Sequence, residues 1–259
     1  MLGLYYGGTG FGIIASALVV PTLAGRAAAH AWQSGWLALA ALAALATVLT
    51  AAATPALAAP PVHGAAAVRV RWAPMGFALA GYLMFGLGYI GYMTFIITLL
   101  RSQGVSAGET IAFYVLLGAA VVASSFIWAR LLQRFRGGES LAILNALLAL
   151  ATLLPVLSGA RVVVFGSGAL FGAVFLSVVA STTALVRHNL PAAAWPGGIA
   201  AFTIVFAAGQ IVGPTAVGWI ADGPGGLARG LAYSAAALAL GALLAARQRT
   251  FPPAEGAGA

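Results

Sequence analysis

Four aromatic side chains in one apolar stretch of the chain share one side of a helix. They stand at i, i+3, i+7 and i+10, a spacing that returns to one face at about 100° per residue: Tyr82, Phe85, Tyr89 and Tyr92. Aromatic rings stack on a small organic molecule, and phenol hydroxyls hydrogen-bond it. The pattern therefore predicts a substrate-facing wall of a wet cavity. The alternative is interhelical packing, with Tyr82 or Tyr92 in an interfacial aromatic belt.

A second group of candidate residues lies in a later apolar stretch. Gln210 precedes Gly213 and Pro214 by about one turn, and Thr203 lies two turns before Gln210. Proline has no N–H and crowds the carbonyl four residues back, which belongs to Gln210, so we expect a bend with a freed acceptor there. Thr203 and the Gln210 amide would contact substrate, and Gly213 with Pro214 would form a hinge. Alternatively the bend is static, and a neighbouring helix satisfies the amide.

Catalysis and metal binding need clusters of residues that this sequence lacks. It has no Cys, three His and four acidic residues, and none of them cluster at helical spacing. We therefore expect no enzyme activity, no cofactor and no metal site. Glu109 follows Ser106 by three residues, which is the spacing of a helix capping box. Glu139 and Asp222 also fall at the ends of apolar stretches, and Glu255 lies in the C-terminal tail.

The elements that position these residues are predicted to be membrane-spanning helices. Of the 259 residues 62% are hydrophobic and 6% charged, and the mean hydropathy is +1.03; a soluble domain has about a quarter charged residues. Eight stretches are long enough to cross a bilayer and lack the alternation of barrel strands: residues 2–24, 36–53, 74–100, 109–132, 140–158, 161–186, 196–221 and 227–246. The predicted fold class is an all-α, polytopic transmembrane bundle of about eight helices.

The basic residues set the expected orientation. All twelve are Arg, and eight of them fall on one side of the predicted helices: Arg69, Arg71, Arg130, Arg134, Arg136, Arg187, Arg247 and Arg249. The positive-inside rule places this side, and with it both termini, in the cytoplasm. The net charge of +8 is explained by this arrangement, so we expect the lipid bilayer and not nucleic acid as the partner.

The helices fall into two unequal groups. Two helices in residues 1–53 precede a stretch rich in Pro, Ala and Gly, residues 54–73, which is predicted to be a cytoplasmic linker. Six helices follow in residues 74–246, and residues 247–259 form a cytoplasmic tail. In the first helix Gly8 and Gly12 have the small-x-x-x-small spacing that predicts a helix-packing contact.

Three stretches resemble the major facilitator superfamily of secondary transporters. Residues 209–222, GQIVGPTAVGWIAD, are similar to its eleventh helix. Residues 129–138, ARLLQRFRGG, resemble the basic loop between helices eight and nine, with Gln133 where the family usually has Asp. Residues 81–95, GYLMFGLGYIGYMTF, are similar to the seventh helix of the bacterial branch labelled YbfB/YjiJ-like.

The resemblance implies that the eight segments correspond to family helices five to twelve. The N-terminal half would then be incomplete, and we expect the chain to be a fragment, a truncated product or the product of a wrongly assigned start. It also implies secondary active transport of a small organic solute, by efflux or uptake, through alternating access in a bacterial inner membrane. Arg130 and Arg134 would belong to a cytoplasmic gate, or their charge would serve only membrane orientation and binding of anionic lipid.

Two further questions stay open at this level. No carboxylate lies in the middle of an apolar segment, although coupling to a proton usually relies on an ionisable group within the membrane. Either a coupling proton or cation is handled by helices outside this chain, or transport has no such coupling. The alternative to transport is a non-transporting helical membrane subunit or scaffold, and the sequence predicts no oligomeric state.

Overall fold

The computed structural model of the protein describes residues 2–24, 30–54 and 71–250. Over these ranges the chain is helical and contains no strand, which confirms the all-α prediction. The helices are α1 (Leu2–Ala24), α2 (Ala31–Ala53), α3 (Gly76–Ser102), α4 (Ala107–Ile127), α5 (Ala129–Arg134), α6 (Glu139–Leu157), α7 (Arg161–Asn189), α8 (Trp195–Ala221) and α9 (Gly226–Ala246). Single 3₁₀ turns, Ala73–Met75 and Ala192–Ala194, lead into α3 and α8.

Most of the described helices are suited to a membrane. Seven segments are long and apolar enough to cross one: α2, α3, α4 continued by α5, α6, α7, α8 and α9. The 23 residues of α1 reach about 35 Å, more than a hydrocarbon core of about 30 Å. Predicted boundaries agree closely with these helices, the largest difference being the start of α2 at Ala31 instead of residue 36. Residues 55–70 of the predicted linker and the tail after Thr250 lie outside the described residues.

The fourth predicted segment is two helices, not one. The regular helix is interrupted at Trp128, between α4 and α5. The indole Nε1 of Trp128 donates a hydrogen bond to the carbonyl oxygen of Ala173 on α7, at 2.6 Å. This contact fixes the turn against α7, and it depends on a tertiary neighbour that an apolar run does not reveal.

Six of the helices from α3 to α9, all except the short α5, pack as two similar trios. α3 packs on α8 and α9, and α7 packs in the same way on α4 and α6. Exchanging α3, α4 and α6 with α7, α8 and α9, in that order, therefore converts these four contacts into one another. In addition, α6 packs on α9. Such a pattern is expected of two inverted three-helix repeats. Large side chains without exposed surface fill the bundle, among them Phe85, Phe113, Phe171 and Leu148.

The first helical group joins the second through two glycines. A methyl group added to Gly10 would lie 2.6 Å from the carbonyl oxygen of Gly118, and one added to Gly118 would lie 2.8 Å from that of Gly10. Backbones this close need glycine on both sides. The predicted contact through Gly8 and Gly12 was wrong, because both have open space around them. α1 turns its Gly10 side, not its Gly8 and Gly12 side, toward α4.

Gln248 holds one end of the bundle together. Its Oε1 accepts from the backbone N–H of Ala78 in the first turn of α3, at 2.9 Å, and its Nε2 donates to the carbonyl oxygen of Pro74, at 2.8 Å. The backbone N–H of Gly138 donates to the carbonyl oxygen of Gln248, at 2.9 Å. The start of α3, the loop before α6 and the end of α9 therefore close on one another.

Candidate functional site

Aromatic rings of α3 and α8 form a continuous stack inside the bundle. Phe206 of α8 lies against three rings of α3, with centroid distances of 5.3 Å to Tyr82, 5.4 Å to Phe85 and 5.5 Å to Tyr89. Phe202, one turn earlier on α8, meets Tyr82 edge to face at 5.6 Å. The predicted stripe is thus brought together on one side of α3, and its counterpart is a pair of phenylalanines on α8. We call these five residues the aromatic stack.

The rings continue onto α7. Tyr89 lies 6.3 Å from Phe175, which lies 5.5 Å from Phe171, and Phe171 stacks on Tyr92 at 4.1 Å. Offset stacking at these distances favours each pair by about 0.5–1.5 kcal/mol beyond the area it buries. The rings therefore join α3, α7 and α8 into one rigid aromatic layer.

Tyr89 and Gln210 supply the polar group of the aromatic stack. Gln210 Nε2 donates to Tyr89 Oη at 2.5 Å. Both residues lie near the middle of helices of 27 residues, which places the pair near the centre of a bilayer. Tyr89 is 9% exposed and Gln210 is half-buried. Among the described residues none accepts the Tyr89 hydroxyl proton or donates to Gln210 Oε1, so the pair keeps one donor and one acceptor for a bound molecule.

Tyr92 differs from Tyr89 because other helices occupy its hydroxyl. Its side chain has no exposed surface. Tyr92 Oη and Ser167 Oγ are 2.7 Å apart, and Ser167 Oγ donates to the carbonyl oxygen of Ala151, also at 2.7 Å. Since a serine hydroxyl has one proton, Tyr92 is the donor to Ser167. This chain of hydrogen bonds links α3, α7 and α6, and it leaves Tyr92 a packing residue.

Glycines set the close approach of α3 and α8 that brings Tyr89 to Gln210. A methyl group on Gly86 would lie 2.7 Å from the carbonyl oxygen of Phe206, and one on Gly209 would lie 2.7 Å from that of Leu83. One on Gly213 would lie 2.8 Å from the carbonyl oxygen of Leu87. We call Gly86, Gly209 and Gly213 the glycine seam.

α8 continues without interruption through Pro214, and the proline removes the amide that would bond the Gln210 carbonyl. The carbonyl oxygen of Gln210 therefore receives no backbone hydrogen bond from position 214, and α8 does not end there. Thr203 lies two turns before Gln210, on the same side of α8. It is exposed, and its Oγ1 donates to the carbonyl oxygen of Ile199 at 2.9 Å. Thr203 therefore borders the site and does not enter the aromatic stack.

The predicted gate arginines lie on α5, at the end of the bundle that Gln248 closes. Arg130 and Arg134 are exposed, and the Arg134 guanidinium carbon lies 5.6 Å from the Phe135 ring centre. The loop that follows is fixed to the end of α7: His188 Nδ1 is 3.2 Å from the Phe135 carbonyl oxygen, and Asn189 Nδ2 donates to that of Arg136 at 2.7 Å. Two exposed cations thus stand beside an anchored loop.

The three carboxylates among the described residues lie at helix ends, as their positions in the sequence predict. Ser106 and Glu109 form a complete capping box at the start of α4, and Asp222 caps the end of α8. Glu109 Oε1 also pairs with Arg161 Nε at 2.8 Å, the one ion pair among the described residues. Glu139 lies in the first turn of α6. The described residues hold no group of acidic or His side chains that could bind a metal ion.

Four phenylalanines of the aromatic layer were not among the predicted site residues: Phe171, Phe175, Phe202 and Phe206. A signal for them exists in the sequence, since each pair is spaced i, i+4 and so lies on one face of its helix. What the spacing does not give is which helix those faces meet.

An all-α bundle with seven membrane-capable segments among the described residues defines a polytopic membrane protein. The chain belongs to a family of transporters of the major facilitator superfamily (MFS), because the family described as "Uncharacterised MFS-type transporter YbfB" matches residues 1–246. The resemblance drawn from three stretches of sequence is thereby confirmed. No curated protein matches the chain.

Proposed function

We propose that this protein carries a small organic solute across a bacterial inner membrane by alternating access, as a secondary transporter. Membership of an MFS-type transporter family supports membrane transport in general. The observation that supports this route for the solute is the hydrogen bond between Gln210 and Tyr89. A polar pair at mid-membrane is expensive unless its groups are satisfied, and this pair leaves a donor and an acceptor unused inside a layer of aromatic rings.

In this proposal each part of the site has one role. The half-buried ring of Phe206 lies against the apolar body of the solute, and the buried rings of Tyr82 and Phe85 hold Phe206 in place. Tyr89 with Gln210 hydrogen-bonds the polar group of the solute. The glycine seam holds the pair in register, and Pro214 weakens α8 next to it so that α8 can bend during the transport cycle. The described carboxylates all lie at helix ends. A coupling proton or cation, where one is used, therefore binds at another group.

Arg130 and Arg134 form the cytoplasmic gate in this scheme, where their charges favour the C-terminal ends of neighbouring helices. The orientation is supported by the described arginines. Seven lie at the end that Gln248 closes (Arg71, Arg130, Arg134, Arg136, Arg187, Arg247 and Arg249), against Arg101, Arg161 and Arg229 at the other. The positive-inside rule then puts the C-terminus in the cytoplasm. Fluorescence of a green fluorescent protein fused to the C-terminus would agree with this, and activity of a fused alkaline phosphatase would contradict it.

The experiment that tests transport uses the purified chain in lipid vesicles loaded with a mixture of small organic acids, amines and neutral solutes. Mass spectrometry follows each solute across the membrane, with protein-free vesicles and the double variant Tyr89→Ala, Gln210→Ala as controls. We expect at least one solute to move saturably with the wild-type protein and not with either control. Movement equal to that in protein-free vesicles for every solute would contradict transport by this chain and favour a non-transporting membrane subunit.

A further inference from the structure

An open cavity lies away from the aromatic stack, where the first helical group meets the second. It has a volume of about 320 Å³ and is bordered by the C-terminal half of α1, the last turns of α3 and the first turns of α4. Its wall includes Ser16, Ile97, Arg101, Thr110, Ile111 and Tyr114. A volume of this order suits a small ligand. Because Arg101 is close to the last residue of α3, the cavity lies near the membrane surface opposite the end that Gln248 closes.

The cavity holds a guanidinium group that no described residue engages. Arg101 is exposed, and its side chain has neither a hydrogen bond nor an ion pair within the described ranges. Arg161, at the same end of the bundle, is different: it pairs with Glu109 at 2.8 Å and donates to the carbonyl oxygen of Gly104 at 2.9 Å. The carboxylate of Glu109 is therefore already paired with Arg161, and Arg101 keeps its fork of donors for a ligand.

Hydroxyl groups complete the polar side of the cavity. Ser16 and Thr110 already donate within their own helices, to the carbonyl oxygens of Ile13 and Ser106, both at 2.9 Å. The Tyr114 hydroxyl makes no hydrogen bond to a described residue and retains its proton. Arg101 and Tyr114 therefore offer donors from two different helices, while the remaining wall is mainly aliphatic. Donors on one side and hydrocarbon on the other match an anion with an apolar body.

We infer that this cavity binds the carboxylate of a small organic acid, with Arg101 pairing with the charge and Tyr114 donating to it. Ile97 and Ile111 then cover the apolar body of the acid. Arg101 lies twelve residues after Tyr89 on α3, which is about 18 Å along the helix. Twelve residues also turn an α-helix by about 120° from one face, so the cavity does not face the aromatic stack. A role of the cavity as an entrance site for the solute rests on the proposed function, and the binding itself does not.

The test uses the fact that the sequence contains no Cys. A single cysteine in the cavity wall, Ala17→Cys, is reacted in phosphatidylcholine nanodiscs with two methanethiosulfonate reagents, the anionic ethylsulfonate and the cationic ethyltrimethylammonium. We expect the thiol to favour the anionic reagent over the cationic one. The ratio of the two reaction rates, anionic over cationic, should fall about three- to tenfold when Arg101→Gln is added. The matched control, Arg229→Gln in the same background, removes the same charge from the same end of the bundle and should leave the ratio unchanged, because Arg229 lines a different pocket beside the end of α8.

Ligand binding is read from the same introduced thiol. We expect benzoate to slow the reaction and its neutral amide, benzamide, to have no effect. The inference is overturned if the thiol at position 17 does not react, if the ratio is the same after Arg101→Gln, or if benzoate and benzamide act alike. Protection by added phosphatidylglycerol and not by benzoate would overturn it in favour of a lipid headgroup. Ala107→Cys, in the first turn of α4 on the opposite wall, gives a second reporter if Ala17→Cys does not fold. None of these readouts depends on transport.

Discussion

Tyr89 and Gln210 meet in a hydrogen bond at the middle of the two helices that carry them. The bond joins α3 to α8 at the point where the glycine seam brings the two backbones closest. Around it the rings of Tyr82, Phe85 and Phe206 form a nearly parallel stack. The site thus combines close helix packing, aromatic surface and unused hydrogen-bonding capacity along one contact between α3 and α8.

Removing the hydroxyl of Tyr89 should lower transport, whereas removing the hydroxyl of Tyr92 should lower stability. Tyr89→Phe keeps the stacked ring but takes away the donor for the solute, so we expect transport to fall at unchanged protein abundance. Tyr92→Phe breaks the bond to Ser167 and should lower stability by about 0.5–1 kcal/mol while transport is largely kept. Solute flux in vesicles and thermal unfolding in detergent measure the two effects. Equal loss of flux in both variants would make Tyr89 a packing residue as well.

Gly213→Ala should destabilise the bundle by about 1–3 kcal/mol, because the new methyl group would lie 2.8 Å from the Leu87 carbonyl oxygen and also collide with Ile90. Gly166→Ala is the matched control, since Gly166 lies inside α7 with open space around it. Alanine there should stabilise the helix by about 0.5–1 kcal/mol. The midpoint of thermal unfolding compares them, and equal midpoints would show that the seam does not require glycine at 213.

Arg130→Gln combined with Arg134→Gln should slow transport without changing thermal stability, because both side chains are exposed. The control is Arg247→Gln combined with Arg249→Gln, which removes the same charge from the same end of the protein. A gate on α5 requires the first pair to reduce flux more than the second. Equal reductions would assign both pairs to orientation in the membrane or to binding of anionic lipid.

Periodicity and composition predicted most of the fold, because lipid forces each spanning segment to be a helix that satisfies its own backbone. The capping box of Ser106 and Glu109 was also readable, since it depends only on residues three apart. The break at Trp128 was not, because its indole bonds to Ala173, forty-five residues away. The contact between Gly10 and Gly118 was not predicted for the same reason. Several glycines of α1 have suitable spacing, and the position of α4 determines which of them makes the contact.

The candidate site was predicted in part. The stripe on α3 and Gln210 on α8 were found from spacing and residue type, and the structure brings them into contact. The different fates of Tyr89 and Tyr92 could not be predicted, because they depend on Ser167, which only tertiary packing brings to Tyr92. The four phenylalanines on α7 and α8 belong to the site because tertiary packing brings their helices against α3, and spacing in the sequence does not reveal that packing.

The most direct test of the account is whether the middle of α8 is reachable from both sides of the membrane. Gln210→Cys, a single cysteine in this cysteine-free chain, is treated with membrane-impermeant methanethiosulfonate reagents in right-side-out and in inside-out vesicles. Ser167→Cys, fully buried between helices, is the unreactive control. Alternating access predicts that the thiol at position 210 reacts from each side in turn, and that a transported solute slows both reactions. Protection of that thiol from both sides, like that of the control at position 167, would contradict a solute route between α3 and α8.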